Sequence, residues 1–176
     1  MKTIAAIFLS LFASCALAEV RVFNLEKQLQ LAGQANVREL AKIPGEYYRY
    51  ISYDPGFTSS TIILITKSGS NFTMNAYCVS LHDYYASKGE RGVRKQTMEL
   101  SETQWREIME KLSKLDFWNY KAKRGAGLDG QFYILEGVKD GAFRSIQEWF
   151  GPREGIFWEA CRSFDLLANP VPGQLF

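Results

Sequence analysis

Two stretches of alternating apolar and polar residues, each doubling back across a short glycine-bearing turn, limit what this chain can become. Thr61 to Thr66 and Asn71 to Leu81 flank Lys67-Ser68-Gly69-Ser70, while Gln131 to Val138 and Ala142 to Phe150 flank Lys139-Asp140-Gly141. Period-two alternation sends successive side chains to opposite faces of a strand, and glycine permits the tight reversal. Both units read as β-hairpins. With Ser68-Gly69 as the first loop, Ile65 pairs with Phe72 and Ile63 with Met74, and Ala76 and Cys78 continue that face into the core. A three-residue Lys139-Asp140-Gly141 loop in the second sets Ile134 opposite Ile146 and Glu136 opposite Arg144. Glu136 shares its face with Phe132, Ile134 and Val138, so it needs a partner, and Arg144 is expected to complete a structural charge pair. Glu148 falls nearer the strand end.

The remaining elements fit around these hairpins. Tyr47 to Tyr53 is aromatic and β-favouring and ends at the turn Asp54-Pro55-Gly56, and Arg94 to Leu100 reads as a further strand. Ser101 with Gln104 forms a capping box opening a helix whose stripe is Trp105, Ile108, Met109, Leu112 and Leu115. A second helix, about Glu154 to Ala168, gathers Ile156, Phe157, Ala160, Phe164 and Leu167 on one side, with Cys161 beside them. The fold class expected is α+β, an antiparallel sheet built from hairpins with two main helices packed on one face. Residues 46–176 form that single domain. Residues 19–45 are expected to be partly helical and loosely attached, with Leu25, Leu29, Val37, Leu40 and Ala41 at helical spacing.

Residues 1–18 have a different character. Lys2 precedes an apolar run from Ile4 to Phe12 broken only by Ser10, and Ala16-Leu17-Ala18 supplies small side chains for cleavage. A cleavable signal peptide is expected, placing the protein in the periplasm or outside the cell. The run is short of the roughly 20 apolar residues that span a bilayer, so no transmembrane anchor is expected. Lipid anchoring at Cys15 is the rival use of the segment, against which Phe12 stands three residues earlier. Losing Lys2 leaves 20 basic against 19 acidic residues, too balanced for a partner held by phosphate contacts, and the one compact basic run is Lys121-Ala122-Lys123-Arg124. No nucleic-acid partner is expected. Cys78 and Cys161 survive cleavage, and in an oxidising compartment a disulfide between them would contribute on the order of 4 kcal/mol. Two buried thiols are the alternative.

Chemistry is sparsely marked. His82 is the single histidine, so a Ser-His-Asp site or a two-His metal centre has nowhere else to form; Asp83 beside it can orient an imidazole only where the backbone is not extended. Residues His82 to Arg94 are expected to form a long loop carrying Tyr84 and Tyr85. Gly125 to Gly130 is a glycine-rich turn with Asp129 as a candidate binding residue, and Asp129 with Glu136 is a carboxylate pair of the type glycosidases use. No nucleophile elbow, phosphate-cradling glycine loop or calcium loop occurs, so neither cofactor nor metal is expected.

Phe117-Trp118 after a Trp-bearing helix, Gly127-Leu128-Asp129-Gly130, Leu135-Glu136-Gly137, Gly141 with Phe143, and Trp149 followed by Pro152 make one combination. In that combination, across roughly residues 100 to 165, the chain resembles a family of small exported bacterial proteins without an assigned activity. The family carries Tyr-His where this chain has Phe143-Arg144, Arg where it has Glu148, and proline one position earlier. The resemblance implies an exported α+β domain. A histidine role from the family has no residue here to carry it.

Abundant tyrosine favours an interaction surface, where flat rings bury area and hydroxyls keep a partner. The expected function is therefore a noncatalytic binding or inhibitor-like module acting on an envelope protein or polymer, with Asp129, Trp149, His82, Tyr84 and Tyr85 as candidate binding residues. The alternative is a hydrolase of an envelope polymer using His82 or paired acids.

Overall fold

A computed structural model describes residues 25–34, 37–54, 59–89, 91–122, 131–150 and 154–169. The first helix, α1, covers residues 25–31 and a 3-10 turn follows at Val37–Lys42. Next come β1 (Glu46–Asp54), β2 (Ser59–Ser68), β3 (Asn71–Ser80), α2 (Leu81–Ala86), β4 (Val93–Glu99) and α3 (Glu102–Lys114). The hairpin β5 (Gln131–Lys139) and β6 (Ala142–Phe150) precedes α4 (Ile156–Ala168). All six strands join one antiparallel sheet in the order β4-β3-β2-β1-β5-β6. The expected α+β class is what forms.

β1 runs through the middle, and its composition explains why. Tyr48 and Tyr50 are buried beneath α3 and α4, together with Ile63, Ile65, Met74, Tyr133, Leu135 and Ile146. Tyr47, Ile51 and Tyr53 are buried on the opposite face. There the cover is α1 and the turn after it, through Leu29 and Ala32, and the 3-10 turn, through Val37. Of the 19–45 segment, the described residues Leu25, Leu29, Ala32 and Val37 pack against the sheet. The segment's few apolar residues suffice because they fill only the second face of the central strands, and its weak periodicity does not register that contact.

Polar contacts fix the same face. Arg49 on β1 is 3% exposed, its Nε donates to Glu136 Oε2 at 2.7 Å, and a terminal nitrogen donates to the carbonyl of Gln34. Burial lowers the guanidinium pKa while the Glu136 carboxylate opposes that shift. The partner of Glu136 is Arg49, not Arg144. Asp140 and Gly141 have φ of +51° and +77°, the paired left-handed geometry of a two-residue type I′ turn, so Lys139 closes the ladder against Ala142. That is one residue off the expected register and turns β6 over: Leu135 meets Ile146, Glu136 meets Ser145, and Arg144 moves to the α3/α4 face opposite Gly137. The first hairpin also shifts, by two residues, with Gly69-Ser70 as its loop and Ile65 opposite Met74. An even shift keeps each face intact.

The helices follow their sequence signals. Ser101 and Gln104 form the expected capping box, and Trp105, Ile108, Leu112 and Leu115 are buried, leaving Met109 at the edge of the stripe. α4 buries Phe157, Ala160, Cys161 and Phe164. Among the described residues, no helix is long and apolar enough to cross a membrane.

Removing one member of a buried ion pair strands the other, so Glu136→Ala should cost about 3 kcal/mol. Denaturant unfolding measures the loss, and amide exchange over residues 25–34 should accelerate more than over α3.

Candidate functional site

The residues singled out from sequence do not converge. Ser80 accepts from the amide of Asp83 at 3.2 Å and Leu81 is buried, so the expected 82–94 loop instead begins as α2. His82 stands 83% exposed on that helix with Nδ1 3.3 Å from Asp83 Oδ1. The helical turn lets these neighbours meet. That hydrogen bond, followed by the one with Ser80, holds the Asp83 carboxyl below its ordinary value. Tyr85 is exposed and packs edge-on against Tyr84, whose ring lies 5.8 Å from the Lys27 ammonium. Trp149 is half-buried beside Phe132 on the α1 face, with its indole nitrogen buried and unpartnered among the described residues. Asp129 and the 125–130 turn lie outside the described residues, as do residues 1–18 with Cys15.

The cysteines are separate thiols. Cys161 is fully buried in α4, and that burial pushes its pKa well up. Cys78 is half-buried at the outer part of β3, where Arg94 on β4 donates to its sulfur at 3.4 Å. The register places Cys78 beside Arg94 rather than under α4, which removes the expected bond. Arg144 instead donates to the carbonyl of Tyr120. Glu148, expected near a strand end, is 5% exposed and accepts from the Tyr120 hydroxyl at 2.8 Å. The one-residue register difference brings it beneath the helices.

A groove of about 540 Å³ with an aromatic floor runs along α3. One wall is α3, with Glu102, Arg106, Met109 and Asp116 just past its end, and the other is the turn-proximal end of the sheet, with Glu46, Lys67 and Lys139. Its floor is an unbroken series of rings. Phe72 lies 5.5 Å from Trp105, Trp105 5.9 Å from Tyr48, Tyr48 6.1 Å from Phe117, and Phe117 5.1 Å from Trp118. Gly137 makes this possible: a Cβ there would sit 2.7 Å from the Phe117 ring. Phe72, Met109 and Trp118 keep part of their apolar surface in contact with solvent.

The walls differ in charge. On the sheet side, Glu46 bridges Lys67 at 3.7 Å and Lys139 at 3.3 Å and accepts weakly from the Tyr48 hydroxyl at 3.4 Å, leaving one net positive charge. On the helix side, Glu102 and Asp116 outweigh Arg106. Sequence periodicity assigns Trp105 and Met109 to the core, where Trp105 is indeed buried while also lining the groove, and Met109 is half-buried at the edge. The signal for a groove was that the stripe is one residue wider than needed and is followed directly by Phe117-Trp118.

Among the described residues, no group of three or more His, Cys, Asp or Glu could hold a metal ion. Treatment of the native protein with a thiol reagent should modify Cys78 and spare Cys161 until unfolding, read by peptide mass. Burial first, then the Glu46 charge, raises the Tyr48 phenol, while burial and the Glu148 hydrogen bond push Tyr120 up to about 12. A folded pKa above the unfolded one means this stability is complete below about pH 10 and drains away above it. Melting temperature against pH should fall across that range, with tyrosinate absorbance rising at unfolding. Compared with known proteins, the chain matches no family model, and neither a curated protein nor a solved structure is significantly similar to it.

Proposed function

We propose that this chain is an exported, noncatalytic binding module whose α3 groove takes an extended polypeptide segment from an envelope protein. The observation that carries the reading is the five-ring floor between walls of opposite net charge. A helix rises 1.5 Å per residue, so the 13-residue α3 offers a wall about 20 Å long, enough for about six extended residues. Aromatic surface supplies burial with little loss of side-chain freedom, and the two walls select a segment with an acid toward Lys67 and Lys139 and a base toward Glu102 and Asp116. Export rests on Lys2, the apolar run to Phe12 and Ala16-Leu17-Ala18, together with the resemblance to an exported family.

A phage-displayed random heptapeptide pool panned against the purified chain tests the groove. Enriched peptides should carry both charge signs, bind saturably, and lose at least tenfold in affinity on the variant with Met109→Glu and Trp118→Ala. Failure to enrich, or equal binding by that variant, overturns the groove as the site. Export is tested separately: the mature protein should begin at Glu19 in an envelope or secreted fraction, and retention of Met1 in the cytosol overturns it.

A further inference from the structure

At the opposite end of the sheet from the aromatic groove, the side chains on the α3/α4 face change from apolar to small and polar. Tyr50, Ile63 and Ala76 are the last fully buried positions across β1, β2 and β3. The next row is Ser52, Thr61, Cys78 and, on β4, Arg94, and the row beyond contains Ser59 and Ser80. Small side chains leave the sheet surface open among the described residues. An open cleft of about 790 Å³ lies between α2 and the start of β4, and a separate hollow of about 130 Å³, which shares Cys78 as a wall, is lined by Thr61, Ser52 and Gln131 among others. A volume of that order is in the range of small-molecule sites.

Arg91 and Arg94 both line the cleft and are exposed. Among the described residues neither forms an ion pair: Arg94 donates only to the Cys78 thiol, and Arg91 makes only main-chain bonds, its amide donating to Ser87 Oγ at 2.8 Å. Among the described residues Asp83 is the one acid in the lining, and its carboxylate is engaged by His82, with Arg94 also near enough to favour its charge. The described lining residues therefore carry one net positive charge, with two guanidinium groups that no described acid pairs, while Ser80 and Ser87 line the same cleft and the neighbouring hollow adds the hydroxyls of Ser52 and Thr61 and the amide of Gln131. Planar guanidinium forks match carboxylate and phosphate oxygens, and hydroxyl rows suit a polyol body.

We propose that this cleft binds a polyhydroxylated oxyanion, a sugar acid or a sugar phosphate, with the anionic group on Arg91 and Arg94 and the hydroxyls over Thr61, Ser52 and Ser80. The site is independent of the α3 groove.

Titration calorimetry of the purified chain with glucose 6-phosphate, glucuronate, inorganic phosphate and neutral glucose tests it. At least one anionic sugar should bind saturably and more tightly than inorganic phosphate or glucose, and whichever of the two leads identifies the anionic group. The double variant Arg91→Gln, Arg94→Gln should lose at least tenfold in affinity with an unchanged melting temperature, and Thr61→Val should weaken the anionic sugar but not inorganic phosphate. Absence of saturable binding by both anionic sugars, or equal affinity in the double variant, overturns the proposal. So does a sugar that binds no better than inorganic phosphate.

Discussion

A cation buried near the centre of the sheet organises one whole side of this molecule. Arg49 cannot remain charged at 3% exposure without anionic and carbonyl partners, and it has both: Glu136 on the neighbouring strand and Gln34 on the segment that follows α1. The same side chain therefore ties β1 to β5 and ties the amino-terminal segment to both. Gln34 adds a second tie by donating to the Tyr77 hydroxyl at 3.2 Å. With that face closed, β1 can carry tyrosines pointing both ways, and α3 and α4 need cover only the other side.

Covering one side with two helices leaves the sheet longer than its cover. α3 meets the turn-proximal ends of the strands, where the ring series Phe72-Trp105-Tyr48-Phe117-Trp118 is only partly roofed. Among the described residues, the strands run on past α4 into serine, threonine and arginine. One architectural mismatch thus produces two concavities of opposite character, one aromatic and one polar, at the two ends of the same sheet face.

Much of the architecture could be read from residue patterns, because alternation, capping and turn residues act locally. The Ser101-Gln104 box, the stripe of α3 and the hairpins each lie within about two dozen residues of sequence. What escaped depended on counting or on distance. Treating Lys139 as part of the loop moved the second hairpin by one residue, and a period of two turns that small error into an exchange of faces, misassigning Arg144, Glu148 and the partner of Glu136. The true partner, Arg49, lies 87 residues away, and nothing local announces it. The groove was hidden for a different reason: its floor is made of residues that also serve the core, so periodicity reported Trp105 and Met109 as packing alone. The polar cleft and its neighbouring hollow are written as single serines and threonines on three strands and an arginine on a fourth, which only the assembled register brings side by side.

The seam between β1 and β5 has a kinetic meaning. β1 through β4 follow one another in space as in sequence, and β5 with β6 closes across a two-residue turn, so each block can form from nearby contacts. Joining them requires the intervening chain to be gathered into a loop before any ladder bond compensates the lost freedom. The β1/β5 ladder is therefore the joint that carries the largest loop-closure cost in the sheet, and the aromatic floor, built from β1, β3, α3 and the residues after α3 against Gly137 of β5, is complete only where that ladder is in register.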